Sequence, residues 1–156
     1  MPLQKSTITG IAAAFFMTAF FVACSKEKFT TKPQLFFKKV ESYNVGRGQL
    51  IDITLEFTDK EGDLTDSIFI RSVTTRCPTS NSTVGYKLPE FDTSSRLKGE
   101  FRIIFENQTN NTGFLVFTGN RCNRPDTTMF SFWMRDRAKN MSDTISIDRP
   151  IIIRNN

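Results

Sequence analysis

Leu50-Ile51-Asp52-Ile53-Thr54-Leu55-Glu56-Phe57 carries the clearest pattern in this chain. Ile51, Ile53, Leu55 and Phe57 alternate with Asp52, Thr54 and Glu56. Successive side chains of an extended strand point to opposite faces, so the stretch reads as a strand with one buried and one wet face. Asn44-Val45-Gly46-Arg47-Gly48 before it is turn chemistry, and Thr58-Asp59-Lys60-Glu61-Gly62-Asp63-Leu64-Thr65-Asp66 after it reads as a loop.

Working outward, the same period recurs in short pieces. Strands are expected at Gln34–Val40, Ser67–Val73, Leu97–Glu106, Phe114–Thr118, Thr128–Arg135 and Thr144–Ile153, the last interrupted by Pro150. Cys77 to Phe91, with Pro78, Gly85 and Pro89, reads as irregular. Beyond Cys24 apolar residues do not recur at three and four, so helices are not expected. Seven short strands separated by turn residues predict an all-β chain, an antiparallel β-sandwich.

The other end of the chain is an address. Residues 1–23 hold one charge, Lys5, ahead of a thirteen-residue apolar core from Ile11 to Ala23. A membrane-spanning helix needs about 20 apolar residues. A basic start, a short apolar middle and a small residue before Cys24 therefore read as a secretory signal. The ending Phe21-Val22-Ala23-Cys24 resembles the lipobox of bacterial lipoproteins, with Phe21 where that family has Leu. The resemblance implies cleavage before Cys24, a diacylglyceryl group on its sulfur, and acylation (palmitate) of its amine. One chain binds a bilayer only marginally, and two or three hold durably. Ser25-Lys26-Glu27-Lys28 is similar to the charged export signal of Bacteroidetes surface lipoproteins. Those features imply a bacterial cell envelope and outer-membrane anchorage, with the periplasmic face and the surface both open. The expected division is a signal peptide over 1–23, a lipidated tether over 24–32 and one β-sandwich domain over 33–156.

Removing residues 1–23 from the 156 leaves 133, which suits a single domain with a real core. The mature chain keeps 20 Lys and Arg against 16 Asp and Glu, without any run of five or six like charges. Nucleic-acid binding therefore has no footprint here. The chain has no histidine, which removes Ser-His and Cys-His catalysis and histidine zinc sites. Cys77 and Cys122 form an even pair in an exported domain and are expected to be bonded.

Strand order and length resemble immunoglobulin-like and cadherin-like domains. Phe57-Thr58-Asp59 with Gly62-Asp63 is similar to the F-x-D-x-x-G-D loop of such repeats in bacterial surface proteins. Asp136 with Ala138-Lys139-Asn140 and Ser142 is similar to their D-x-A-G-N-x-S loop, with Lys139 replacing the glycine. Given that topology, strands three and six are neighbours, so the loops Asp59–Asp66 and Asp136–Asp143 share one pole. Cys77 and Cys122 then meet at the other.

The first pole suggests a cation site. Calcium takes six to eight oxygens, and Asp59, Glu61, Asp63, Asp136, Asn140 and Asp143 are the candidate ligands. The loop is too short for an EF-hand. The competing reading is that turn acids bond their own backbone and are neutralised by Lys60, Arg135 and Arg137. Strand spacing puts Phe101, Phe105, Phe114, Phe117, Phe130, Phe132 and Trp133 in the core, the alternative being a carbohydrate platform. The expected function is a non-catalytic binding or structural module, accessory to glycan or protein capture in the envelope. The alternative is a small envelope hydrolase using the acidic pole, which would need two carboxyls beside a cleft.

Overall fold

A computed structural model of the chain describes residues 29–64, 66–90, 95–118 and 124–154. Cys24, the signal segment and Cys122 lie outside the described residues. Two sheets face one another. The first contains β1 (Gln34–Val40), β3 (Leu50–Asp59), β6 (Leu97–Asn107) and β7 (Leu115–Phe117), in the order β1-β3-β6-β7. The second contains β2 (Asn44–Val45), β4 (Ser67–Thr74), β5 (Ser82–Lys87), β8 (Asp126–Arg135) and β10 (Ile151–Ile153), in the order β2-β10-β8-β4-β5. A two-residue β9 (Ile145–Ser146) pairs with β8. Helical structure among the described residues is one 3-10 turn, Pro78–Ser80. The chain is thus all-β and folded as a sandwich.

Alternation explains the core. Every second residue of β8 is buried, and Phe130, Phe132 and Met134 lie opposite Ser72, Ile70 and Ile68 of β4. These face Ile51, Ile53, Leu55 and Phe57 of β3 across the sandwich, each at most 3% exposed. Burying side chains of this size contributes about 1.5–3 kcal/mol each. Phe130 also stacks with Phe105 at 6.1 Å and meets Phe117 at 5.2 Å, which ties the two sheets together.

The structure departs from the sequence pattern at three points. The outer side of β3 is not wet, since Asp52, Thr54 and Thr58 are buried. Flanking strands bring cations across that face, where Arg102 pairs with Asp52 and Lys38 and Lys98 with Glu56. Long cationic side chains cover surface with their stems while keeping the charge in water. The sheets are mixed rather than wholly antiparallel, because β2 runs parallel to β10 and β7 parallel to β6. The stretch read as irregular contains β5, an edge strand whose residues are mostly exposed and so show no burial period. The final strand is interrupted as expected, into β9 and β10 with Pro150 in the break.

Candidate metal centre

β3 ends at Asp59, and the chain then turns through Gly62, whose φ of +71° is the left-handed conformation glycine takes without strain. This turn brings the Asp63 N–H back to Asp59 Oδ2 at 3.0 Å. β8 ends next door, and the Arg137 N–H donates to the Asp63 carbonyl at 3.0 Å. The two loops expected to share a pole are therefore bonded to each other. One carboxylate oxygen from each of Asp59, Asp63 and Asp136 lies within 4.8 Å of the others. Oxygens around one calcium at about 2.3–2.6 Å are separated by no more than about 5 Å, so the three suit a single ion.

Their environments differ from those of ordinary turn acids. Asp59 is fully buried, and its Oδ1 has no hydrogen-bond partner. Burial, with the nearby Asp63 and Asp136 carboxylates adding to it, pushes the Asp59 carboxyl up to about 6 despite backbone hydrogen bonds from Asp63 and Gly62. Among the described residues no ion pair reaches Asp59, Asp63 or Asp136. Of the cations expected to neutralise them, Arg135 holds Asp66 at 2.8 Å, where Lys139 joins it at 2.7 Å, and Lys60 lies 3.9 Å from Glu61. That pairing draws the Asp66 carboxyl well below the usual range.

The other predicted ligands are placed differently. Asn140 donates its backbone N–H to Asp136 Oδ1 and its side-chain amide to Oδ2, each at 2.7 Å, so it aims Asp136. Glu61 is exposed beside Lys60, and Asp143 is exposed and paired with Lys32 at 2.5 Å. Neither joins the cluster. Lys139 stands where the resembling loop has glycine, and it adopts φ +72°. The backbone thus keeps a glycine-type turn with a lysine in it.

At the opposite pole Cys77 follows β4 and is fully buried, with its Sγ 3.0 Å from Ser80 Oγ. The aromatics divide between interior and surface. Phe105, Phe117, Phe130 and Phe132 are core, Phe101 is half-covered, and Phe114 is exposed. Trp133 stacks on Phe69 at 5.5 Å on the outer side of the second sheet. Sequence reasoning missed Glu106. It is fully buried and accepts hydrogen bonds from Thr109, Thr112 and the Asn111 and Thr112 N–H groups.

No family model and no curated protein matches the chain. Among solved structures it is similar to Spo0M, a sporulation control protein of Bacillus subtilis, with TM-score 0.43 and 7% identity over 81% of this chain and 51% of that one. The chain thus spans about half of that protein. A Niemann-Pick type C2 protein from the Japanese carpenter ant aligns with TM-score 0.41 and 11% identity, over 81% and 98% of the two chains. The CARDB domain of a Pyrococcus furiosus protein, solved in complex with di-metal ions, aligns with TM-score 0.26 and 12% identity over 77% and 96%.

Proposed function

We propose that this chain is a lipid-anchored envelope protein whose sandwich is a non-catalytic binding or structural module with a calcium-stiffened pole. The single observation that carries the calcium part is Asp59 Oδ1, a buried charged oxygen without a partner, beside two further carboxylates. A buried charge needs a counterion or it neutralises, and here Arg135 and Lys139 serve Asp66 instead. Asp59, Asp63 and Asp136 would hold the ion, with Asn140 orienting Asp136. Among the described residues, Asp59, Asp63 and Asp136 line neither the cavity of about 400 Å3 nor that of about 270 Å3, and the smaller one that holds Asp66 and Glu90 also holds Lys87, Arg137 and Lys139, which favours a module over a hydrolase.

Anchorage rests on the Ala23-Cys24 ending and the short apolar core before it. The Cys77–Cys122 bond belongs to the same reading. It is supported by Cys77 being engaged rather than free, and by contacts on either side of the pair. The Arg76 N–H donates to the Asp126 carboxylate at 3.0 Å, and Arg124 donates to the Arg76 carbonyl at 2.5 Å. Both Arg124 and Asp126 lie within four residues of Cys122.

Calcium titration of the full-length chain, followed by melting temperature, tests the ion. A hundredfold excess over Kd stabilises by about 2.7 kcal/mol, equivalent to several degrees in a domain of this size. Asp59→Asn should abolish the response and raise the calcium-free Tm, because it removes an unpaired buried charge. An unchanged Tm of the parent chain in millimolar calcium would refute the site.

A further inference from the structure

We infer that the pole bearing the acidic loops makes a second membrane contact, in which a rim of exposed cations lies on anionic phospholipid headgroups around the anchored thiol. This rests on the lipid-anchored reading above and is independent of calcium. Charge at this pole is sorted by depth. Asp59 and Asp136 are buried, while Lys32, Lys60, Lys87, Arg96, Arg137 and Lys139 are exposed. The exposed acids there, among the described residues, are Glu61, Glu90 and Asp143. The fold gathers the cations. Lys60 and Arg137 follow the ends of β3 and β8, and the Arg96 N–H donates to the Lys60 carbonyl at 2.9 Å. Lys87 ends β5 opposite Ser67, which in turn lies opposite Arg135 on β8. Lys139 shares the loop of Arg137, and Lys32 reaches that loop at Asp143.

Half of these cations are uncommitted. Lys87, Arg96 and Arg137 carry no ion pair among the described residues. Lys32 and Lys139 sit in exposed pairs with Asp143 and Asp66, and Lys60 lies 3.9 Å from Glu61. Exposed pairs contribute little, so these lysines can turn to a stronger field with small loss, and Asp66 keeps Arg135. Lys87, Arg137 and Lys139 also border one notch of about 220 Å3, in which Asp66 and Glu90 are the acids. Exposed cations occur at the far pole too, Arg47, Arg76 and Arg154 among them, so charge alone does not choose the surface. The tether does. The Lys60 N–H donates to the Thr30 carbonyl, so the chain leaves the body inside the rim. Five residues, Lys26 and Lys28 among them, lead from there back to Cys24. Basic residues beside a membrane anchor are drawn to anionic lipid within a Debye length, about 8–10 Å. A basic patch of this kind turns a marginal acyl anchor into a stable one.

The test places the chain, purified from membranes with Cys24 as it occurs, in nanodiscs of phosphatidylcholine with or without phosphatidylglycerol. EGTA keeps calcium out of the result. Washing reports anchorage, and hydrogen exchange by mass spectrometry reports the contact. Segments 59–64 and 136–140 should exchange at least about threefold more slowly in anionic discs at low salt, and the difference should vanish at about 0.5 M salt, where charges are screened. Arg96→Glu with Arg137→Glu should lose the slowing, while Arg47→Glu with Arg154→Glu should keep it. The salt response of the parent chain needs no variant, so a variant that misfolds leaves the test intact. Protein retained on both discs with equal exchange would overturn the rim and leave the anchor standing. Slowing at 75–81 instead would do the same. Protein washed from neutral discs, yet held by anionic ones at low salt and slowed at the same two segments, would keep the rim and sink the anchor. Loss from both discs would sink both.

Discussion

Glu106 and Asp59 are both buried carboxylates, yet their surroundings act on them in opposite directions. Four groups from Thr109, Asn111 and Thr112 donate to Glu106 and pull its carboxyl down to about 2. A depressed acid contributes stability that is present above its unfolded value, 4.5, and is lost as pH falls toward about 2. Glu106→Gln should therefore lower Tm at pH 7 by several degrees and show a flatter Tm curve between pH 4.5 and 2. Curves that run parallel for the two proteins would show that the charge does not organise the 108–113 loop. Asp59 was legible in the sequence because a strand ending in Asp, followed by Gly-Asp, has turn chemistry of its own. Glu106 was not, because its partners are backbone and hydroxyl groups of a loop whose path depends on Gln108 and Gly113 at positive φ. Before the fold it looks like any polar strand end.

Elements were legible wherever a strand buries one face. β1, β3, β4, β6 and β8 announce themselves through alternation, and their bounds moved by at most two residues. β2 and β5 did not, since two residues carry no period and an exposed edge has little to hide. The outer side of β3 misled for a related reason: the residues that roof it belong to its neighbours. Close packing between strands also gives a test. A Cβ on Gly99 would lie 2.8 Å from Phe57 Cζ, and that ring is held by stacking on Phe101 at 4.4 Å. Gly99→Ala should destabilise by about 1–3 kcal/mol, the usual cost of overpacking, read as a lower urea midpoint at constant slope. An unchanged midpoint would mean that the ring yields freely.

For the molecule as a whole, the strongest covalent constraint is the proposed link between Cys77 and Cys122. It would close a loop of about 45 residues and contribute about 4 kcal/mol on the chain-entropy model. Reduction should lower the urea midpoint, and Cys77→Ser with Cys122→Ser should cost no more together than either alone. Additive losses would argue against a bond. That the loops after β3 and β8 share a pole was foreseeable from strand order, whereas the short reach of β7 along β6 was not. How far β7 runs along β6 is decided by where the 108–114 loop returns, and no local pattern encodes that.

The way the chain enters its body would also set how a protein anchored at Cys24 stands. The Lys60 N–H donates to the Thr30 carbonyl, and Lys32 reaches Asp143, so the N-terminal segment arrives at the acidic pole. Thr30 is the sixth residue after Cys24, a contour of at most about 21 Å. With Cys24 acylated, the protein would stand acid-end down, its carboxylate cluster hovering near the phospholipid headgroups. The Arg76–Asp126 clasp would be the tip farthest from the bilayer.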